Sequence, residues 1–276
     1  MVAHLAWLSV ALKINLFFMD WLQALILGVV EGLSEFLPIS STAHLRLFSE
    51  WLGVTNNDFS KSFDIFIQLG AILAVLVVYL KTIWQRPRII LKLAAAFIPT
   101  AIIGLIAYPF IKGQLMDSFW LMAFTLGLGG LFLLWFEGRY QATRATIKDV
   151  EQITYKQAVL IGLCQAVAVV PGVSRSAATI IGGLALGLSR SVIVEFSFLL
   201  ALPTMLAATG LDLLKSSWSF GRPEIIALVV GSLAAFITAW VSVKWLLNFV
   251  QHRDFRPFGW YRIALAIVVM AYLLIR

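Results

Sequence analysis

The chain is predicted to be an all-α polytopic membrane protein with an inverted-topology repeat, each half a re-entrant helical hairpin plus three transmembrane helices. Three features of its 276 residues lead there. First, the runs 93–111, 119–136 and 225–243 carry no charged residue over about the 18–20 positions that cross a bilayer. Second, basic residues gather in a few loops: Lys81, Arg86, Arg88 and Lys92; Arg139, Arg144, Lys148 and Lys156; and Arg253 with Arg256. Such clustering marks the cytoplasmic side of a membrane protein. Third, "GVVEGLSEFLPISST" from Gly28 is echoed by "GLCQAVAVVPGVSRS" from Gly162. In each, a glycine is followed three residues later by Glu31 or Gln165, then by a proline and a hydroxyl-rich run.

Composition narrows the class further. The chain is 61% hydrophobic and 13% charged, about half the charge of a soluble domain. Its net charge of +7 is explained by the basic loops and calls for no nucleic acid partner. A single cysteine, Cys164, excludes an internal disulfide and a cysteine-built metal site.

Taken in order, residues 1–18 have a short apolar centre and no clean cleavage site, and read as an N-terminal extension or start-site artefact, with Met19 an alternative start. The first repeat covers 19–138. Its opening segment is broken at Pro38, which removes a backbone donor and turns the preceding residue away from helix, so two short helices with a break are expected. Spans over 65–80, 93–111 and 119–136 follow. A cytoplasmic linker, 139–153, leads into the second repeat, 154–276, with its break at Pro171 and spans over 196–211, 225–243 and 263–275. Three spans per half is an odd number, so the second half is expected inverted. The first hairpin then enters from outside, the second from inside, and the C-terminus ends outside. Broken helices in matching positions of two halves point to a midplane site, since exposed backbone at that depth needs protein or water partners.

The polar residues fall in those two breaks. Glu31 and Glu35, four apart, share a helix face. Burying a charge in a bilayer costs about 2.5–3.5 kcal/mol on insertion scales, so the pair suggests a divalent cation site or a general base, against the plainer reading of a hydrogen-bonded helix face. Ser40, Ser41 and Thr42 could cap a helix whose free N–H groups suit phosphate oxygens. His44 could serve as acid, base or nucleophile, whereas His4 and His252 read as structural. Arg175 has no acid beside it in sequence, and its forked donors suit a phosphate or a distant carboxylate. Ser174, Ser176 and Thr179 add donors at a second helix start. Asp64, Glu195 and Asp212 rank as supporting residues. Two helix N-termini, an arginine, two carboxylates, hydroxyls and a histidine make a receptor for an anionic head group on a hydrocarbon tail. A lipid diphosphate fits.

"EGLSEFLPISSTAHL" (31–45), "FDIFIQLGAILAV" (63–75), "PGVSRSAAT" (171–179) and "EFSFLLALPTMLAATGLDL" (195–213) resemble the bacterial undecaprenyl-diphosphate phosphatase family, also called bacitracin resistance proteins. The resemblance runs from Met19 nearly to the end. It implies hydrolysis of undecaprenyl diphosphate to the monophosphate, recycling the lipid carrier of cell-wall synthesis. It implies an inner-membrane protein working at the periplasmic face and dependent on Mg²⁺ or Ca²⁺. Position by position, it puts the glutamate motif on Glu31 and Glu35, the serine nucleophile on Ser41, the histidine on His44 and the phosphate-binding arginine on Arg175. Where the family reads STGH and SRSGAT, this chain has Ala43 and Ala177; the substitution matters only if those sites need a positive φ or close ligand approach. Attack by Ser41, by water or by His44 all stay open. The rival from another class is an inverted-repeat transporter or lipid flippase. The other large class of membrane lipid phosphatases fails, because no PSGH occurs and His252 is the sole histidine after Arg175. A homo-oligomer is left open.

Overall fold

The computed structural model describes residues 19–110, 115, 118–141, 145–215 and 220–275. The expected extension 1–18 lies outside them. Among the described residues the chain is helical: α1 (Trp21–Ser34), α2 (Ser41–Trp51), α3 (Asp58–Gln85), α4 (Arg88–Phe110), α5 (Phe119–Arg139), α6 (Tyr155–Ala166), α7 (Arg175–Ala185), α8 (Arg190–Lys215), α9 (Arg222–His252) and α10 (Arg256–Ile275). Six of these, α3–α5 and α8–α10, contain stretches long and apolar enough to cross a membrane. The order of two short helices followed by three long ones occurs twice. The linker holds a short 3₁₀ turn, Val150–Gln152, and one isolated bridge from Ile147 to Leu188.

Starts and stops follow local chemistry. Asp20, Asn57 and Thr154 each cap a helix by accepting from the backbone N–H of the third helical residue, Gln23, Ser60 or Gln157, and each donates its own N–H to that residue's side chain. Ser118 caps α5 through Leu121 N–H. Pro203 removes a backbone donor inside α8, and the next residue, Thr204, back-bonds through its hydroxyl to Leu200 O at 2.8 Å.

Each hairpin packs its first helix on spans of the other half. On one side α1 lies along α9: a Cβ at Gly28 would collide with Gly231 O, and Thr238 and Ser242 donate to Val29 O and Leu33 O. On the other α6 lies along α4, where Gly162 rests on Ala96 O and Thr100 Oγ1 donates to Gly162 O at 2.8 Å. Small residues at these crossings bring backbones together where no hydrophobic force separates helix from lipid. The span α8 is the most enclosed of the six. Outward faces of the others carry exposed apolar residues at helical spacing, such as Ile98, Ile102 and Leu105 on α4 or Phe124, Leu128 and Leu131 on α5, as a lipid-facing surface does.

The basic loops meet at one end of the bundle. Arg86 pairs with Asp149 at 3.2 Å and Lys92 reaches Glu151 O. Glu137 pairs with Arg190 at 2.6 Å and accepts from Phe255 N–H at 3.1 Å, tying the end of α5 to the starts of α8 and α10.

Candidate active site

Glu35 directly follows α1 and keeps helical dihedrals, φ −62° and ψ −42°, so it lies one turn beyond Glu31 on the same face. The chain then turns through Pro38 to Ser40, whose φ of 72° is the one positive value at a non-glycine among the described residues. Such backbone costs about 1–3 kcal/mol and survives where its surroundings over-determine it. Here the Ser40 carbonyl accepts from His44 Nδ1 at 2.7 Å, while His44 Nε2 meets the Tyr261 hydroxyl at 2.7 Å. A carbonyl accepts only, so the Nδ1 proton belongs to this bond. With both ring nitrogens engaged, His44 holds Ser40 in place from behind. Its substitution tests that clamp. His44→Ala deletes one buried and one part-buried bond and leaves a void, a loss of about 2–4 kcal/mol. The midpoint of thermal unfolding in detergent should fall by several degrees; an unmoved midpoint would show that Ser40 needs no clamp.

The second break is built differently. The chain leaves α6 through a 3₁₀ turn, Val167–Val169, passes Pro171 and reverses at Gly172, φ 86°. A Cβ there would also meet Met122 O at 2.8 Å, so only glycine fits. Ser174 caps α7 through Ala177 N–H at 3.2 Å, leaving Arg175 as first helical residue. Ser176 Oγ donates to Leu37 O at 2.8 Å, stitching this break to the first. Arg262, from α10, completes the seam. It is 1% exposed, and its guanidinium donates to Pro38 O, Gly172 O, Thr125 O and Leu126 O at 3.2–3.3 Å.

These constraints bring Arg175 to Glu35, residues 140 positions apart. Arg175 Nη2 donates to Glu35 Oε1 at 3.0 Å and Nη1 to Ser197 O at 3.0 Å, and the guanidinium lies 5.6 Å above the Phe36 ring. Arg175 Nε is buried without a partner. The Ser41 hydroxyl, at the start of α2, donates to Glu35 Oε2. Glu35, Ser40, Ser41, Thr42, Ser174 and Arg175 share the wall of one polar cavity of about 200 Å³, joined by Gln68, Thr100, Gln165, Thr204 and Met205.

The remaining sequence candidates stand behind that wall. Thr179 Oγ1 bonds Arg175 O and the Ser197 hydroxyl, supporting the backbone under Arg175. Glu31 is 0% exposed, and no donor group bonds either carboxylate oxygen; the Glu35 carboxyl lies within hydrogen-bonding reach, and Asp64 and Arg175 are its other charged neighbours. Among the described residues no cluster of three or more His, Cys, Asp or Glu could hold a metal. The Glu31–Glu35 pair nonetheless fits a hard cation, because both are oxygen donors, the two carboxyls adjoin, and no donor group bonds the Glu31 oxygens. Ala43 and Ala177 both lie within helices, so neither needs a positive φ.

Tyr261 and Arg262 escaped the sequence reading, and Gln165 entered it only through the repeat, not as a site residue. Gln165 had a signal, for it occupies the place of Glu31 in the repeated segment. Arg262 had one too, as a charge at the head of the last apolar run. Asp212 lies outside the described side chains.

The family profile described as "Bacitracin resistance protein BacA" matches residues 24–268. A protein of Aquifex aeolicus named "Undecaprenyl-diphosphatase" is 48% identical over 255 residues, 92% of this chain and 99% of that one. One of the same name from Wolinella succinogenes is 50% identical over 255 residues, again 92% and 99%. A third, from Thermus thermophilus, is 49% identical over 249 residues, 89% of this chain and 95% of its own.

Proposed function

The chain belongs to the bacitracin resistance protein BacA family, and from that membership we propose that the polar cavity between the two breaks is the active site of an undecaprenyl-diphosphatase. The protein is a multi-pass membrane enzyme that hydrolyses undecaprenyl diphosphate to undecaprenyl phosphate and inorganic phosphate. The observation that carries the site is the Arg175–Glu35–Ser41 chain of contacts, which joins a cation, a carboxylate and a hydroxyl across the two hairpins.

Phosphoryl transfer asks the protein mainly for position and charge neutralisation. Arg175, the N-terminal N–H groups of α2 and α7, and the hydroxyls of Ser40, Thr42 and Ser174 bind the diphosphate oxygens. Ser41 Oγ attacks the terminal phosphorus as its proton passes to Glu35 Oε2. The bond from that phosphorus to the bridging oxygen breaks, and undecaprenyl phosphate leaves. The proton on Glu35 passes to solvent as the lipid product leaves. Water then attacks the phospho-serine and gives one proton to Glu35, the P–Oγ bond breaks, that proton passes on to Ser41 Oγ, and inorganic phosphate departs with the other. Ser176, Thr179 and His44 act from behind, fixing the two helix starts. Glu31 and Glu35 would hold Mg²⁺ or Ca²⁺, which would supply counter-charge to the phosphates.

The enzyme resides in the bacterial inner membrane with the cavity open to the periplasm. Support comes from the basic loops gathered at one end of the bundle, while Thr204, Met205 and Ala208 in the cavity wall belong to the far half of α8. The halves are read as inverted repeats on the same grounds, together with their three spans each.

Purified protein in detergent, given undecaprenyl diphosphate with Mg²⁺ or Ca²⁺, should release inorganic phosphate. Chelation should abolish release and either cation restore it. No release with either cation would turn the reading toward a lipid transporter; undiminished release in excess chelator would remove the metal.

A further inference from the structure

We infer that Gln165 is a direct binding residue of the active-site cavity, whose side-chain oxygen accepts a hydrogen bond from an O–H group of the reacting head group or its attacking water. Gln165 lines the cavity that holds Ser41 and Arg175, yet is 1% exposed, and its Oε1 is buried without a partner. Leaving such an acceptor unpaired costs about 1–3 kcal/mol.

The orientation of the amide is fixed by its neighbour. Thr100 Oγ1 donates its one proton to Gly162 O at 2.8 Å, so toward Gln165 it can only accept. Gln165 Nε2 fills that place, donating to Thr100 Oγ1 at 3.0 Å. Turning the amide over would set two acceptors against each other. Oε1 is thereby held as an acceptor in a wall whose donors are Arg175, the cavity hydroxyls and two helix N-termini, and whose charged acceptor, Glu35, is already engaged by Arg175 and Ser41.

An acceptor among phosphate-binding donors repels an unprotonated phosphate oxygen. It selects an oxygen that carries a proton. Two sources share that chemistry: a protonated oxygen on the terminal phosphate, and the water that cleaves the phospho-serine.

The inference rests on the phosphatase reading, and its test separates the two. Gln165→Leu keeps the volume and removes the acceptor; kcat/KM for undecaprenyl diphosphate should fall about ten- to a hundredfold. If water is the donor, kcat falls, KM holds, and phosphorylated protein accumulates on acid quench. If the phosphate is the donor, KM rises and inhibition by inorganic phosphate weakens by a similar factor. Thr100→Val frees the amide to turn its NH₂ inward and should shift the same parameter the same way, which keeps the test alive if Gln165→Leu does not fold. Folded Gln165→Leu with kcat, KM and phosphate inhibition all within about twofold of the native protein overturns the inference alone. Native protein that binds the lipid but releases no phosphate ends the phosphatase reading instead. Lipid affinity, unchanged between native protein and Gln165→Leu, would then end this inference as well.

Discussion

Arg175→Ala should lower kcat/KM for undecaprenyl diphosphate by about two orders of magnitude or more, the usual scale for removing a charge-stabilising donor. The guanidinium already spends Nη1 on Ser197 O and Nη2 on Glu35 Oε1, which fixes its plane before substrate arrives. Its Nε proton is buried without a partner in a cavity wall. A donor held in that state costs nothing to reorient when phosphate oxygen enters. Loss of Arg175 also strips Glu35 of its cation, so the carboxylate that serves Ser41 is left with that hydroxyl and the adjoining Glu31 carboxyl. Arg175→Lys keeps the charge but not the fork, and one ammonium cannot span Ser197 O, Glu35 and a phosphate together. Its rate should lie well below native and above the alanine variant. Phosphate release by monodisperse protein in detergent decides the matter, and a near-native rate for Arg175→Ala would remove the cavity from the chemistry.

Sequence patterns disclosed the spans and the two breaks because both are local. A charge-free run of nearly twenty residues has few fates other than a bilayer, and a proline between two short apolar segments interrupts a helix wherever it falls. The residue types at the breaks were equally legible, since each is costly in lipid and needs a reason. What stayed hidden was the division of labour among them. Glu31 and Glu35 are alike in sequence, yet Glu35 takes the cavity wall and Glu31 is sealed behind it, because α1 buries its face against α9. His44 invited a chemical role by its ring alone. Its place depends on a tyrosine 217 positions away and on a backbone dihedral that no composition encodes. Arg262 bonds four carbonyls from three separate segments. Long-range backbone recognition of that kind leaves no periodicity to read. Ser174, Ser176 and Thr179 looked like one hydroxyl cluster, but only Ser174 reaches the cavity, as helical spacing turns the other two toward Leu37 and Ser197.

Ser41→Ala should reduce turnover by about three orders of magnitude, since a nucleophile's loss removes the covalent route altogether. Position argues for this residue over its neighbours. Ser40 points its backbone the unusual way, and Thr42 has no carboxylate bond among those described, whereas Ser41 Oγ is bonded to Glu35 Oε2 and opens helix α2. The base is therefore in contact with the nucleophile before substrate binds, and Arg175 on the other oxygen keeps that base oriented. His44 lacks a free ring nitrogen for attack unless its bonds to Ser40 and Tyr261 break. Native protein mixed with substrate labelled in its terminal phosphate and quenched in acid should carry label, and Ser41→Ala should carry none. Label persisting on Ser41→Ala would transfer the nucleophile to another side chain. Fast turnover by Ser41→Ala without label would mean that water attacks directly, with Glu35 drawing the proton from that water instead of from Ser41.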